Sequence, residues 1–110
     1  MIYAIRAYFT PGLPQPPERS EAYKRWIRRF PCVVCSTYHN IEAAHTGDHG
    51  TSTKASDFNC LPMCVEHHRT GKYAYHKGRA DWEAMHGKNV DELVEYFRGM
   101  WNRKQERRAA

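Results

Sequence analysis

The sequence has no apolar run near the length of about 20 residues that a membrane-spanning helix needs. At 110 residues it is also too short for a Rossmann unit with a second domain, a barrel or a kinase. Its first residues, MIYAIRAYFTPGLP, lack the continuous apolar region and the small-residue cleavage site of a secretion signal. No internal repeat is visible. We therefore expect one small cytoplasmic domain that makes no membrane contact.

The chain is rich in two metal-binding residue types, with seven histidines and four cysteines. Because no secretion signal points to an oxidising compartment, four cysteines predict thiolate ligands for a metal rather than two disulfides. A bound metal also stabilises a domain whose hydrophobic core is small. Hydrophobic residues make up 41% of the chain and charged residues 26%, which predicts a folded protein rather than a disordered one.

The net charge of +5 is concentrated in two segments. Residues 18–29 carry a net charge of +3 and residues 98–110 carry +4, so the rest of the chain sums to −2. Basic segments on either side of a near-neutral centre are typical of a domain that binds a polyanion at its edges. Solvent-exposed helix faces are also often rich in lysine and arginine. Charge alone therefore favours neither interpretation.

Prolines, glycines and apolar spacing divide this single domain into four segments. Residues 1–17 predict a short strand and a proline-rich linker, and residues 18–31 predict a basic helix. Residues 32–88 form the expected metal-binding core, and residues 89–110 predict an amphipathic helix with a basic tail.

The two flanking helices have recognisable ends and apolar faces. Ser20 is a suitable N-cap for a helix over about 21–29, and Pro31 would end it. Apolar spacing points three of its residues inward: Ala22, Trp26 and Phe30. An Asn89 cap precedes the last helix, whose apolar residues recur three and four apart and predict a packing face: Val90, Leu93, Val94, Phe97, Met100 and Trp101.

No single spacing of apolar residues runs through the core, so its sequence predicts short strands and broken helices. Strands are expected at 33–34, near Ile41 and over about 57–61, the last ended by Pro62, with a glycine-rich loop at 47–53. Helical character returns at 65–69, breaks near Gly71 and resumes by residue 75 or 76.

Cys32-Val-Val-Cys35 is a CxxC knuckle, in which two thiolates and the amides of a turn hold one side of a tetrahedral zinc ion. The second pair of ligands must come from later in the chain. Cys60 with Cys64 would complete a four-thiolate site, whereas Cys64 with His67 would complete three thiolates and one imidazole. No thioredoxin-like βαβ pattern surrounds the CxxC, so a redox role is not favoured. A structural zinc site is predicted, with its fourth ligand left open.

Three further features follow the knuckle in a fixed order. The segment EAAHTG contains His45, and the segment KASD ends in Asp57. The segment LPMCVEHH ends in His68, and His76 follows eight residues later. This order resembles the HNH nuclease superfamily, and most closely its small phage- and prophage-encoded members with a zinc knuckle. The resemblance covers residues 26–86. It implies an α+β fold, a small zinc-stapled ββα-metal (HNH) core flanked by N-terminal and C-terminal helices.

The resemblance also implies roles for individual residues. His45 matches the histidine that acts as general base on the attacking water. His68 matches the last HNH histidine, a ligand of the catalytic metal, and His76 matches a further ligand. Asn59 and Asp57 both fit the middle position, and either would hold the loop that carries His45. Catalytic roles are thus expected at four positions: His45, Asp57, Asn59 and His68.

Two positions depart from the family pattern. Many HNH proteins carry a metal ligand directly before the base histidine, where this chain has Ala44. Another donor would then be needed, and three residues are candidates: Glu42, Asp48 and His49. Also, eight residues on a straight helix rise about 12 Å, too far for His68 and His76 to meet. Only a break at Gly71 would bring them together.

The resemblance implies a metal-dependent endonuclease that hydrolyses DNA phosphodiester bonds, by nicking or by double-strand cleavage. It would use a structural Zn²⁺ and one catalytic divalent ion such as Mg²⁺ or Mn²⁺. Three basic residues would contact phosphates: Lys54, Arg69 and Lys72. The partner would be DNA, held mainly by its backbone through the basic flanks, alongside phage or host DNA-processing proteins in a bacterial cytoplasm.

Two other functions fit the same residues. One is a zinc-containing nucleic-acid-binding module that has lost catalysis, for which Ala44 is the main support. The other is a zinc domain that binds proteins through the apolar stripe of the last helix. His39, in an expected turn, and His86, on an expected helix, are assigned no chemistry.

Overall fold

The computed structural model describes residues 18–47 and 56–109. The predicted N-terminal strand and proline-rich linker at 1–17 lie outside the described residues, as does most of the loop at 47–53. The described chain is a small α+β domain, in which a two-stranded antiparallel sheet packs with helices. No helix in this part of the chain is long and apolar enough to cross a membrane.

Helix α1, Glu21–Ile27, begins at the predicted cap, because the Ser20 hydroxyl accepts a hydrogen bond from the Tyr23 amide at 3.1 Å. The helix ends two residues earlier than expected. Its fully buried residues are Tyr23 and Ile27, and the expectation that Ala22 faces inward is wrong, since Ala22 is exposed. The inward face includes Trp26 and Phe30 as expected, but it is centred one residue later because the large Tyr23 side chain takes the core position.

Strand β1, Ile41–Ala44, pairs with β2, Leu61–Cys64, with Ile41 opposite Cys64 and Ala44 opposite Leu61. The prediction of a strand at 57–61 is wrong, because Asp57–Asn59 is a short 3₁₀ turn and the strand starts later. Pro62 lies inside β2 rather than ending it. Its carbonyl accepts from the Val33 amide at 3.0 Å, at the edge where its missing N–H costs no sheet hydrogen bond.

The second half of the chain is helical in short pieces, as expected. A π-helical turn, Glu66–Thr70, is followed by a 3₁₀ turn, Tyr75–Lys77, and by helix α2, Arg79–His86. Gly71 lies between the first two, at the predicted break. Residues 33–35 form a turn, so the strand expected at 33–34 is wrong.

Helix α3, Val90–Ala109, follows the predicted cap, since the Asn89 side chain accepts from the Glu92 amide at 3.0 Å. Val90 and Phe97 are buried, and the rest of the predicted stripe packs against the same core. That core also holds Trp82 of α2. The turn Asp57–Asn59 contacts both α1 and α3, so the two flanking helices hold in place the segment that carries Asp57 and Asn59.

Gly71 is expected to tolerate no side chain. A Cβ at this position would lie 2.8 Å from the Glu66 carbonyl oxygen, closer than real contacts allow. We therefore expect Gly71→Ala to lower the free energy of unfolding by about 1–3 kcal/mol, because an overpacked site must shift its backbone. Denaturant unfolding of the metal-loaded protein measures this.

Gly99→Ala in α3 is the matched control. Its Cβ would meet only the flexible end of Arg103 at 3.3 Å, so this variant should be unchanged or more stable by about 0.5–1 kcal/mol. Equal stability of Gly71→Ala and wild type would contradict the close packing at this turn.

Candidate metal centre and active site

The CxxC knuckle forms a tight turn that is closed by backbone hydrogen bonds and has one amide facing sulfur. The Cys32 amide donates to the Thr37 carbonyl at 2.9 Å, and the Ser36 amide donates to the Cys32 carbonyl at 2.9 Å. The Val34 amide points at Cys32 Sγ, 3.4 Å away. Ser36 takes a left-handed conformation, with φ of 62°, to close the turn. Both thiols of the knuckle are therefore presented on one side of the loop.

The knuckle meets the end of β2 and the turn after it. The ligand atoms of Cys32, Cys35, Cys64 and His67 all lie within 4.8 Å of one another. His67 Nδ1 is 3.2 Å from Cys64 Sγ, and Cys35 Sγ is 3.9 Å from Cys64 Sγ. A tetrahedral ion with metal–sulfur bonds of about 2.3 Å holds its ligand atoms about 3.8 Å apart. These four residues could therefore bind a metal such as zinc.

Cys60 lies outside this cluster. Its side chain is fully buried, and its sulfur groups with His45 and Asp57 instead. Burial raises the pKa of the Cys60 thiol to about 12, so it remains protonated at neutral pH. The fourth donor left open by the sequence is therefore His67 in the structure, and the four-thiolate arrangement is not the one assembled.

The pKa shifts of Cys32 and Cys64, two thiols of the cluster, have opposite directions. Burial, together with the neighbouring Cys32, raises the pKa of Cys64 to about 11. Burial also acts to raise the pKa of Cys32, but hydrogen bonds from the backbone around Cys64, Cys35 and Val34 lower it more. A metal binds thiolates, so loading this cluster releases protons and strengthens as pH rises.

His45 follows β1 directly and is held by a buried carboxylate. Its Nε2 lies 2.7 Å from Asp57 Oδ1. Asp57 is only 1% exposed, whereas the His45 side chain is 35% exposed. Among residues 18–47 and 56–109, Nδ1 of His45 has no hydrogen-bond partner. One ring nitrogen is thus fixed by the protein, and the ring remains open to solvent.

Asp57 is itself held as an anion by the start of α1. The Ser20 amide donates to its Oδ2 at 2.8 Å, and Arg19 Nη1 lies 3.2 Å from its Oδ1. Burial alone raises the pKa of Asp57, but the hydrogen bonds from His45 and the Ser20 amide, with the charge of Lys24, lower it below its ordinary value. The carboxylate is therefore charged throughout the neutral range.

Asn59 holds the residues that follow His45. Its backbone carbonyl accepts from the Thr46 hydroxyl, and a Cβ on Gly47 would come within 3.0 Å of its side chain. Its Oδ1 accepts from Arg98 Nη1 at 3.3 Å. The sequence left Asp57 and Asn59 as alternatives for the middle position. The structure gives each a separate contact, Asp57 with the ring and Asn59 with the chain after it.

A second group of side chains lies around His68. Glu42 Oε1 is 2.7 Å from His68 Nδ1, and the same carboxylate forms a two-pronged ion pair with Arg69, its Oε2 2.7 Å from Nη2. The His68 and His76 ring centroids are 4.4 Å apart, so the bend at Gly71 does bring the two histidines together. Burial lowers the pKa of His68, and the nearby His76 lowers it further against the opposing effect of Glu42.

Several expected site residues are placed differently. Both Glu42 carboxylate oxygens have partners, one in the His68 ring and the other in the Arg69 guanidinium group. Glu42 therefore orients His68 and has no oxygen free to bind a metal directly, although the sequence suggests that it could. Ala44 is fully buried in the core. Within the described ranges, no third cysteine, histidine or carboxylate joins His68 and His76 in a set of ligand atoms all within 4.8 Å.

The expected phosphate contacts also differ among themselves. Arg69 is paired with Glu42, and Lys72 is exposed with its Nζ 5.5 Å from the Tyr73 ring centroid. Lys54, Asp48 and His49 lie outside the described residues. Sequence reasoning missed several contacts at the site, among them those of Arg98 and of Ser20. Arg98 carried no signal beyond its basic charge, and Ser20 contributes a backbone amide, which no sequence pattern records.

Comparison with known proteins gives a family without an assigned activity. The family described as "Protein of unknown function (DUF968)" matches residues 14–100. A curated relative, "Uncharacterized protein YdfU" of Escherichia coli (strain K12), is 29% identical over 82 residues, which is 70% of this chain and 22% of that protein. The chain thus spans about a fifth of the length of that relative. No solved structure matches the chain.

The cysteine cluster predicts the metal content of two variants. We expect wild type to carry one zinc ion per chain, His67→Ala to bind zinc at least tenfold more weakly because one of four donors is lost, and Cys60→Ala to keep full zinc content. Elemental analysis of purified protein and competition with a chromogenic chelator measure both quantities. A loss of zinc from Cys60→Ala equal to that from His67→Ala would contradict the ligand set.

Proposed function

We propose that this chain, which belongs to the DUF968 family, is a metal-dependent endonuclease of the HNH type that hydrolyses DNA phosphodiester bonds. The family itself has no assigned activity. One observation carries the proposal: a half-exposed His45 at the end of β1 is fixed through Nε2 by the buried Asp57 carboxylate. An oriented imidazole at a solvent-open position is suited to take a proton from water at neutral pH.

The rest of the described core supports this proposal. The β1–β2 hairpin is followed at once by the helical turn Glu66–Thr70, and that order of elements is the one expected of a ββα-metal core. Cys32, Cys35, Cys64 and His67 would hold a structural zinc ion that joins the knuckle to this hairpin. Zinc there stabilises the fold and takes no part in the reaction.

His45 would act as the general base. Its Nδ1 takes the proton of the attacking water while Asp57 keeps the ring in one orientation and stabilises the imidazolium that forms. Asn59 keeps the backbone after His45 in place through Thr46. The carboxylate does not need to accept a proton for this, which agrees with a pKa of Asp57 that is lowered.

His68 and His76 fit a divalent metal. Glu42 engages His68 Nδ1, which leaves Nε2 for a metal, and a carboxylate behind a ligand histidine is the usual arrangement at metal sites. A divalent ion bound here supplies positive charge to the scissile phosphate and to the departing oxygen. The lowered pKa of His68 keeps this imidazole neutral, and therefore able to bind a metal, at neutral pH.

DNA would be held mainly by its backbone. The basic segment 18–29 contains α1 and the residues on either side of it, and the second basic segment lies on α3 as far as residue 109. The two helices pack together through Trp26 and Trp101. Lys54, Lys72 and, on release from Glu42, Arg69 would contact the phosphates near the cut. The bacterial relative is in keeping with a phage- or prophage-encoded protein that acts in a bacterial cytoplasm with DNA-processing partners.

A nucleic-acid-binding module without catalysis is the second candidate. It is favoured by the buried Ala44 and because, within the described ranges, no third cysteine, histidine or carboxylate joins His68 and His76 in a set of ligand atoms that all lie within 4.8 Å of one another. A protein-binding role for the α3 stripe has less support, because that stripe packs into the core of the chain itself.

The general base can be tested by plasmid cleavage. We expect His45→Ala to lower the rate of supercoiled-plasmid cleavage, with Mg²⁺ or Mn²⁺, by about 100-fold or more, since loss of general-base catalysis costs about 10²–10⁴ in rate. His39→Ala removes an exposed histidine and serves as the matched control with wild-type activity. Plasmid left equally intact by wild type and His45→Ala with every metal would contradict the nuclease proposal.

Asp57→Asn tests the orientation of that base. The amide keeps the shape and one acceptor oxygen of the carboxylate, so the Ser20 contact survives while the anion facing His45 is lost. We expect kcat to fall about 100-fold or more with KM changed less than threefold. Asp81→Asn, at an exposed aspartate of α2, should match wild type. Wild-type kcat in Asp57→Asn, at full zinc content, would show that His45 works without this carboxylate.

A further inference from the structure

Two open hollows adjoin between α1 and α3, away from the cysteine cluster. Their volumes are about 360 and 300 Å³, and both are lined by Trp26, Arg29 and Lys104. We refer to them together as the α1–α3 groove, whose main lining residues are Arg25, Trp26, Arg29, Trp101, Lys104 and Arg108. Specific ligand pockets are typically about 300 Å³ or larger.

The groove is strongly cationic. Four of its six main residues are basic, and no acidic side chain of the described chain lines either hollow. Within residues 18–47 and 56–109, none of these four cations forms an ion pair, whereas Lys24 on the same helix is paired with Glu21 at 2.8 Å. Four unneutralised charges around one hollow favour a polyanionic ligand.

The floor of the groove is aromatic. The Trp26 and Trp101 ring centroids are 5.2 Å apart, and both side chains are partly exposed. Both rings also contact Tyr23, and Trp26 contacts Phe30 and Phe97 as well. Lys104 Nζ lies 5.6 Å from the Trp101 ring centroid. A partly exposed indole beside cations is the combination that proteins use to stack bases while neutralising the phosphates between them.

We propose that the α1–α3 groove binds an unpaired strand of DNA. Duplex DNA would offer phosphates to the cations, but its stacked bases present no ring face to Trp26 or Trp101. An acidic peptide would satisfy the charge and leave the indoles without a stacking partner. The unpaired strand uses both features of the groove at once.

The groove and the proposed catalytic histidine share a helix. Ser20 at the start of α1 donates its amide to Asp57, which holds His45, and Arg25 and Trp26 lie on the same seven-residue helix, about 10 Å long. If the chain is the nuclease proposed above, the groove would direct cleavage to DNA that contains a single-stranded segment beside the cut; this consequence rests on the proposed function. Binding of the strand does not itself require cleavage.

Fluorescence anisotropy with labelled dT12 tests the groove. The zinc-loaded full chain is used with no added divalent ion and no chelator, so that binding is measured without cutting. We expect dT12 to bind at least tenfold more tightly than a 12-base-pair duplex. With four groove cations engaged, the slope of log K against log salt should be about −2.8.

Matched variants separate the groove from general charge. Lys104→Gln with Arg108→Gln should weaken dT12 binding at least tenfold and reduce the salt slope by about 1.4. Arg103→Gln with Arg107→Gln removes the same charge from another face of α3 and should weaken binding less than threefold. Trp101→Leu should weaken dT12 binding about tenfold through lost stacking, and Tyr96→Leu, at an exposed aromatic of α3, should not.

The outcomes distinguish this proposal from the nuclease proposal. Equal binding of dT12 and duplex, equal losses in the two charge variants, or displacement of dT12 by polyglutamate as readily as by unlabelled dT12 would each overturn the groove as a site for an unpaired strand. Tight, groove-dependent dT12 binding without cleavage of any DNA would support the groove and contradict the nuclease. Cleavage with no preference for single-stranded segments, together with weak dT12 binding, would support the nuclease proposal and contradict the groove as a site for an unpaired strand.

Discussion

The buried carboxylate of Asp57 is the interaction on which the rest of the candidate active site depends. A charged group with 1% exposure is costly unless it is paired and hydrogen-bonded. Here the anion is compensated by His45, the Ser20 amide, Arg19 and Lys24. These partners come from α1, from the two residues before it and from the residue after β1. The same charge therefore joins the first helix to the hairpin and fixes the histidine that is proposed to activate water.

The histidines and cysteines fall into separate groups by position. Cys32, Cys35, Cys64 and His67 form one cluster that could bind a metal, and His68 turns the other way onto Glu42 although it is the next residue. His67 and His68 lie on the helical turn Glu66–Thr70, where consecutive side chains point in different directions, so the two imidazoles can face different groups. Structural and proposed catalytic metal sites can thus be neighbours in sequence without sharing a ligand.

Local signals in the sequence predict much of this arrangement, and the errors fall where contacts with distant parts of the chain or the packing of the core decide. The Ser20 and Asn89 caps, the α3 stripe, the break at Gly71 and the cysteine cluster all follow from short-range chemistry. The sequence predicts the second strand too early because a proline commonly ends a strand, whereas an edge position tolerates it. Ala22 was expected inside because spacing alone does not show that Tyr23, one residue later, fills the core. The Ser20 amide on Asp57 and the Arg98 contact with Asn59 join residues almost 40 apart in sequence, which no local pattern reveals.

A crystal structure of the zinc-loaded protein soaked in Mn²⁺, with anomalous maps on both sides of the zinc edge and at an energy where manganese scatters, tests the central claim most directly. The account predicts a zinc peak among Cys32, Cys35, Cys64 and His67 and a separate manganese peak on His68 and His76. A zinc peak alone, with His68 and His76 bearing no metal at saturating Mn²⁺, would contradict a catalytic centre here.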